Sequence, residues 1–328
     1  MTIPANAINL RIDVPLELTG KRLDQVASEL ISDYSRSRLQ QWIRAGDLTV
    51  NHRIYKPRDK VFAGDTLRVA TQLANEGEWH AEEDISFAVV HEDEQLIVIN
   101  KPAGLVVHPA AGNRTGTLLN GLLNRWPELE QVPRAGIVHR LDKDTTGLMV
   151  VAKTLTAHTQ LVRQLQKRQV GREYEAIVFG VMTGGGTVDA PIGRHPQART
   201  KMAVIKTKGQ QSAKDAVTHY RVQERFRNHT RIRVRLETGR THQIRVHMSH
   251  IGYPLVGDSV YAGRLRIPKA ASETFKEGLQ GFKRQALHAT QLTLAHPETN
   301  KQCSWQAPLP DDMLNLLELL RQDVHEQG

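Results

Sequence analysis

The sequence predicts an α+β fold: a larger domain built on a mixed, largely antiparallel sheet with flanking helices, and a small α/β domain ahead of it. Three observations predict it. Strand-like and helix-like segments are mixed without the regular rhythm of βαβ units. Hydrophobic residues make up 39% of the 328, enough to bury a sizeable core. The composition also breaks once, because eight Asp or Glu and no Lys or Arg stand between Thr71 and Asn100. That break reads as a solvated acidic linker over 76–88, between a small domain at 16–75 and a larger one at 89–328.

The elements follow in order. In the small domain, KRLDQVASELI and SRSRLQQWIRAG read as helices, the second capped by Ser35 and ended by Gly46. DLTVN and DTLRV read as short strands, with a turn at Gly64 and Asp65 before the second. In the larger domain, EQLIVINKPAG reads as a buried strand running into a Pro-Gly loop. AGIVHRLDKDTTGLMVVAKT reads as strand, polar loop, strand. TAHTQLVRQLQKRQV is an amphipathic helix with Leu161 and Leu165 four apart. REYEAIVFGVM is a strand, followed by a flexible turn at Gly184, Gly185 and Gly186. TRIRVRLETGRTHQIRVHMSH starts as an alternating strand and passes a glycine break into a helix, and DDMLNLLELLRQD is a final helix.

Charge and composition narrow the function classes. The net charge of +9 suits an acidic partner such as nucleic acid, and it also suits a merely basic soluble protein. Cys303 is the only cysteine, so no intrachain disulfide and no CxxC pair can form, and Cys303 reads as a buried filler. The N-terminal segment lacks a basic start followed by an apolar run. No stretch approaches the roughly 18 apolar residues that a membrane helix needs. The expectation is a soluble cytoplasmic protein that does not engage a membrane. There is no GxGxxG after a strand, no GxxxxGK[ST] and no HExxH. His242, His247 and His250 have no zinc-site spacing, so the chemistry is expected to need neither cofactor nor metal.

Three segments could carry chemistry. The loop His139-Arg140-Leu141-Asp142-Lys143-Asp144-Thr145-Thr146-Gly147 is dense in polar groups and flanked by apolar runs. It fits a rigidly held catalytic loop, and equally a turn in which Asp142 or Asp144 caps the backbone. From His219 to His250 stand eight Arg against two Glu. On a strand, Arg231, Arg233 and Arg235 would share one face and suit phosphate contact. Tyr174 could stack on a base or be ordinary sheet material.

Together these segments resemble the RluA-type pseudouridine synthase family. INKPAGLVVHPAAGN is similar to its first motif, GIVHRLDKDTTGLMVVAKT to its catalytic HRLDxxTSG motif, and REYEA to the motif carrying its tyrosine. LETGRTHQIRVHMSHIGYPLVGDSVY is similar to its last motif, and QALHA matches as well. RLDQVASEL, SRSRLQQWIRAGDLTVN and AGDTLRV resemble the small RNA-binding module named after ribosomal protein S-four. His52 departs from it, standing where a VNG turn carries glycine.

The resemblance implies a central cleft and isomerisation of uridines in ribosomal RNA of the large subunit. It assigns Asp142 as the carboxylate at the sugar carbon, Arg245 as its counter-charge and Tyr174 as the stacking residue. Arg140 would fill the space of a flipped base. The same motifs bring His139, Lys101, Thr146, Ile244 and Arg240 to the substrate side. In the small module, Arg36, Arg38, Arg44 and Lys56 are the candidate phosphate contacts. The implied protein is a monomer acting on free RNA or an assembling subunit. Two rivals remain at this point: an RNA-binding assembly factor without catalysis, and a nucleoside or glycoside hydrolase pairing Asp142 with Asp144 or Glu173.

Overall fold

A computed structural model of the chain describes residues 7–31, 34, 36–72, 80–109, 113–198, 201–205, 213–264, 267 and 271–327. The chain divides into two compact units, Met1–Trp79 and His80–Gly328.

The first unit contains strand β1 (Ala7–Asp13), helices α1 (Leu23–Leu30) and α2 (Arg36–Ala45), and strands β2 (Leu48–Val50) and β3 (Thr66–Gln72). Its antiparallel sheet has the order β1-β3-β2. Leu23, Val26 and Ala27 of α1 and Leu39, Trp42 and Ile43 of α2 recur at helical spacing. They are buried against Leu48, Val50, Leu67 and Val69 of the sheet. Gly46, with φ +83°, follows α2 as expected, and Gly64, with φ +86°, turns the chain into β3. Ser35 and the Arg38 side chain lie outside the described residues. Strand β1 lies ahead of the residue 16 expected to open the module. Its Ile8, Leu10 and Ile12 alternate and cover one flank of the core.

The second unit opens with β4 (Ala88–Glu92), β5 (Leu96–Lys101), α3 (Leu118–Arg125), β6 (Thr146–Ala152), α4 (Leu155–Gln166) and β7 (Gly171–Phe179). It continues with β8 (Gly186–Asp189), β9 (Ile192–Arg194), β10 (Met202–Val204), β11 (Val217–Arg225), β12 (His229–Leu236) and α5 (Gln243–His250). Helix α6 (Glu273–Gly281), β13 (Leu287–Ala295), β14 (Gln302–Gln306) and α7 (Asp311–Gln327) complete it. Among the described residues, nine strands form one sheet in the order β4-β5-β6-β13-β7-β12-β11-β8, with β14 paired to β13. The pairing is antiparallel except between β6 and β13, which run parallel.

Strand β6 is apolar from Leu148 to Ala152 and is buried along its whole length, as a strand covered on both faces must be. Leu148, Val150 and Ala152 meet Ala157 and Leu161 of α4. Ile177 and Phe179 of β7 pack with Phe275 and Leu279 of α6 and Leu316, Leu317 and Leu320 of α7. Gly147 has φ +114°, and a Cβ there would stand 2.3 Å from the Ala289 carbonyl oxygen. Glycine therefore lets β6 approach β13 just beyond the polar loop.

Four expectations need correction. AGIVH is not a strand: a turn over Pro133–Gly136, with Arg134 and Ala135 in the left-handed region, is followed by a single bridge from Ile137 to Val151. Gly186 is not in a flexible turn, because it opens β8 and pairs with Tyr220. Cys303 is half-exposed on β14, not a buried filler. The acidic segment is not a free tether from His80 onward. Asn120 donates to the His80 carbonyl at 2.7 Å, and the Gly116 N–H donates to Glu82 at 2.8 Å. Ile85 and Phe87 pack on Gly121 so closely that a Cβ there would touch Ile85 at 2.7 Å. The two apolar side chains anchor a stretch whose charge suggested full solvation. Residues 76–79 lie outside the described residues.

Candidate active site

The polar loop between Ile137 and β6 is tied down group by group. The Thr145 N–H donates to the Asp142 carbonyl at 3.1 Å. Lys101 Nζ donates to the Lys143 carbonyl at 2.7 Å, and Arg284 Nη1 to the Asp144 carbonyl at 3.2 Å. Gln285 Nε2 donates to the Thr145 hydroxyl at 3.0 Å. At the start of the loop, His139 Nε2 accepts from the Val150 N–H at 3.1 Å. With its carbonyls satisfied this way, the loop presents the Asp142 side chain without needing it as a turn cap.

Asp142 and Arg245 are 103 positions apart and meet at 2.9 Å, Nη1 to Oδ2. The other edge of the guanidinium is held by Asp258, with Nε to Oδ2 at 2.7 Å and Nη2 to Oδ1 at 2.9 Å. Asp258 is fully buried, while 17% of the Asp142 side chain is exposed. Burial alone would raise the Asp258 pKa, but Arg245 outweighs it and holds the carboxyl below the usual range. Burial opposes the charge on Arg245, and Asp258 followed by Asp142 overcomes it. One arginine thus serves two carboxylates, and the more exposed one faces outward.

His242 enters α5 in a left-handed conformation, φ 56°. The Met202 N–H donates to the Tyr261 hydroxyl at 2.9 Å. That hydroxyl lies 2.7 Å from His242 Nδ1, within hydrogen-bond distance of the ring. The other ring nitrogen, Nε2, stands 3.8 Å from Asp142 Oδ1. Burial holds the His242 pKa below the usual imidazole value, against the pull of Asp142.

Tyr174 is buried on β7, opposite Val234 of β12 and Ala289 of β13. Burial raises its pKa, Arg172 opposes the rise and Asp142 adds to it. The phenol is therefore neutral near pH 7. Arg140 is exposed, two residues before Asp142. Arg240 donates through Nε to the Asp215 carbonyl at 2.9 Å and is partly exposed.

Other candidates turn out to support the site from behind. Lys101 is fully buried, and its three donors go to the carbonyls of Pro102, Leu105 and Lys143. No hydrogen is left for RNA. Thr146 is buried with its hydroxyl 2.8 Å from His288 Nδ1. His139 is held neutral by burial and then by Arg172, with a pKa of about 3. Ile244 is buried beside Arg245. His247 is also buried, between Thr218 Oγ1 at 2.8 Å and the Ala190 carbonyl at 2.9 Å.

The arginine row on β12 is corrected too. Arg231 and Arg233 share a face, as the strand period demands, but Glu175, Glu173 and Glu224 stand opposite them. Their charge is compensated inside the sheet, and only Arg235 is left exposed. The same contacts turn Glu173 toward Arg233, so it does not join Asp142 as the partner a hydrolase would need.

In the first unit, Arg36 is pinned to buried Asp24 by Nη2 at 2.7 Å, with Arg22 and Gln40 on the same carboxylate. Arg44 and Lys56 are exposed, and Arg44 reaches Gln40 Oε1 at 3.4 Å.

Asp258 and Tyr261 escaped the sequence reading, and His242 was considered there only as a metal ligand. Asp258 and Tyr261 stand in GDSVY, inside a segment already recognised, yet nothing local marks Asp258 as the anchor of Arg245. Among the described residues no three His, Cys, Asp or Glu converge as metal ligands, and no helix is long and apolar enough to cross a membrane.

Comparison with known proteins points to one family. The pattern described as RNA pseudouridylate synthase matches residues 95–250, and the S4 domain matches residues 21–67. The chain is 60% identical over 319 residues to ribosomal large subunit pseudouridine synthase D of Pseudomonas aeruginosa, covering 97% of this chain and 98% of that one. It is 54% identical over 323 residues to the protein of that name from Escherichia coli, covering 98% and 97%. Among solved structures, human RNA pseudouridylate synthase domain containing 4 aligns with a TM-score of 0.56 at 29% identity, over 71% of this chain and 93% of that one.

Proposed function

Because the chain belongs to the RNA pseudouridylate synthase family, we propose that it isomerises uridine to pseudouridine in large-subunit ribosomal RNA, the RNA in its relatives' names, with Asp142 as the carboxylate at the sugar carbon. The observation that carries this reading is the Asp142–Arg245–Asp258 arrangement. A carboxylate at the sugar carbon must be ionised, correctly aimed and still reachable. Arg245 supplies the counter-charge, Asp258 fixes Arg245, and Asp142 keeps part of its surface open.

In the reaction the bond from N1 to the ribose C1′ breaks and a bond from C5 to C1′ forms. One proton leaves C5 and one arrives at N1, so the composition of the RNA is unchanged and no redox partner is consumed. Positive charge grows on the sugar as the first bond opens, and Asp142 meets it there by the logic that glycosidases use. Tyr174, neutral and buried, stacks on the uracil and is too weak an acid to serve as a standing phenolate base. The target must leave its helix, which costs roughly a few kcal/mol. Exposed Arg140 fills the vacated space and offsets part of that cost. The S4 module adds affinity through Arg36, Arg38, Arg44 and Lys56. The enzyme works as a monomer in the cytoplasm, on free RNA or on an assembling subunit.

The test is Asp142→Asn. Pseudouridine formation, followed by loss of label from C5 of uridine in a large-subunit RNA transcript, should fall by at least about 10³-fold. RNA affinity should stay within about threefold of wild type, because Asp258 still compensates Arg245. Wild-type turnover in this variant would sink the assignment of Asp142.

A further inference from the structure

Among the described residues, nothing answers the charge that Arg172 carries. It stands on β7 two residues before Tyr174, so strand geometry places both side chains on one face. The residue is only 7% exposed. It makes no hydrogen bond or ion pair with any described residue, and its Nε is buried without a partner. Glu173 and Glu175 face Arg231 and Arg233 on the opposite side of the sheet. Glu237 is held by Arg168 at 3.2 Å and by His219 at 2.7 Å. Asp142 and Asp258 share Arg245.

The guanidinium has a place prepared for it. A Cβ at Gly239 would stand 2.5 Å from Arg172 Nη1. Gly239 is exposed, in the loop that leads from β12 to Arg240, His242 and α5. The end of the side chain therefore lies directly under a bare stretch of backbone at the surface. Its charge is felt by both Tyr174 and His139, which places it beside the proposed uracil site.

An unpaired ion taken out of water is destabilising. Such a group persists where a ligand completes it, and the planar fork of arginine matches a phosphate monoanion. Uracil is neutral and cannot compensate the charge, whereas each nucleotide of RNA brings one phosphodiester. We propose that Arg172 is a phosphate-binding residue, taking a phosphodiester of the RNA strand next to the uridine that stacks on Tyr174. This rests on the pseudouridine synthase reading and adds to it a charged contact at the reacting nucleotide. A side chain at position 239 would have to shift the guanidinium.

The experiment compares wild type with Arg172→Met and Arg172→Lys on a large-subunit ribosomal RNA transcript. Removing an uncompensated charge should leave the thermal midpoint of free Arg172→Met at or above that of wild type. RNA affinity should fall about tenfold, and the slope of log affinity against log salt should become shallower by about one, the signature of one lost phosphate contact. Arg172→Lys should keep the slope and recover part of the affinity. An Arg172→Met protein that melts earlier or fails to fold would mark the residue as structural and overturn the proposal. An unchanged salt slope would overturn it equally. Wild-type enzyme that binds the transcript yet forms no pseudouridine would count against the assigned reaction instead, and the slope comparison would stand.

Discussion

Asp258 is the residue on which the site geometry turns. Its Oδ1 accepts from Arg245 Nη2 and from the N–H groups of Val260 and Tyr261 at 2.9 and 3.0 Å, so it is fixed by the backbone that follows it. Arg245 inherits that position and passes it to Asp142. Asp258→Asn keeps the shape and removes the charge that holds the guanidinium. A displacement of about 1 Å at such a site can cost on the order of 100-fold in rate. Asp258→Asn should therefore lower the single-turnover rate of pseudouridine formation by about that factor with RNA affinity unchanged. Equal losses in rate and affinity would place Asp258 in RNA binding instead.

At the scale of elements, the turn between Val50 and Arg53 explains the departure at His52. Val50 and Arg53 exchange two N–H to carbonyl bonds, each 2.9 Å. Between them Asn51 and His52 take φ 49° and 64°. Two left-handed central residues define a type I′ turn, whose second position favours glycine. A side chain there costs roughly 1 kcal/mol. His52→Gly should stabilise the first unit by about that amount in denaturant unfolding, without changing the turn. A loss of stability would mean that the His52 ring makes a compensating contact. The polar loop adds remote support to its own turn bond: Lys101 and Arg284 hold its carbonyls and Gln285 holds the Thr145 hydroxyl.

For the whole molecule, acid sensitivity follows from histidines that desolvation holds neutral. His229 is 1% exposed against Phe179, and burial pushes its pKa down to about 4. Burial, with help from Arg172, pushes His139 down to about 3. Both start from 6.5 in the unfolded chain. As the pH falls below 6.5 the unfolded chain takes up these protons first, so stability declines with falling pH to about 4 for His229 and lower for His139. Above 6.5 neither residue contributes a slope. His229 alone accounts for about 1.4 kcal/mol per pH unit in that window. Unfolding free energies should therefore be lower at pH 5 than at pH 7, and His229→Phe should flatten the dependence. A native protein equally stable at both pH values would rule this out. The net charge of +9 works at the same scale, strengthening RNA association in a way that salt screens.

The sequence by itself determined most of the elements and the identity of the site segments. Periodicity is a local property, so the helices at Leu23–Leu30 and Arg36–Ala45 and the strand at Leu96–Lys101 were legible from residue spacing. The HRLD, REYEA and HQIRVHM segments were recognisable as motifs. Only the tertiary structure decided what each charge does. The arginines of β12 seemed free until Glu173, Glu175 and Glu224 proved to stand opposite them. Lys101 seemed a surface contact until its three donors were found on buried carbonyls. Asp258 and Arg172 stood out only once burial and partners were known. The physical reason is common to all of them: an ionised side chain acquires its role from its desolvation and from the charges within a few ångströms, and the chain supplies those neighbours from distant positions, as Arg245 meets Asp142 from 103 positions away.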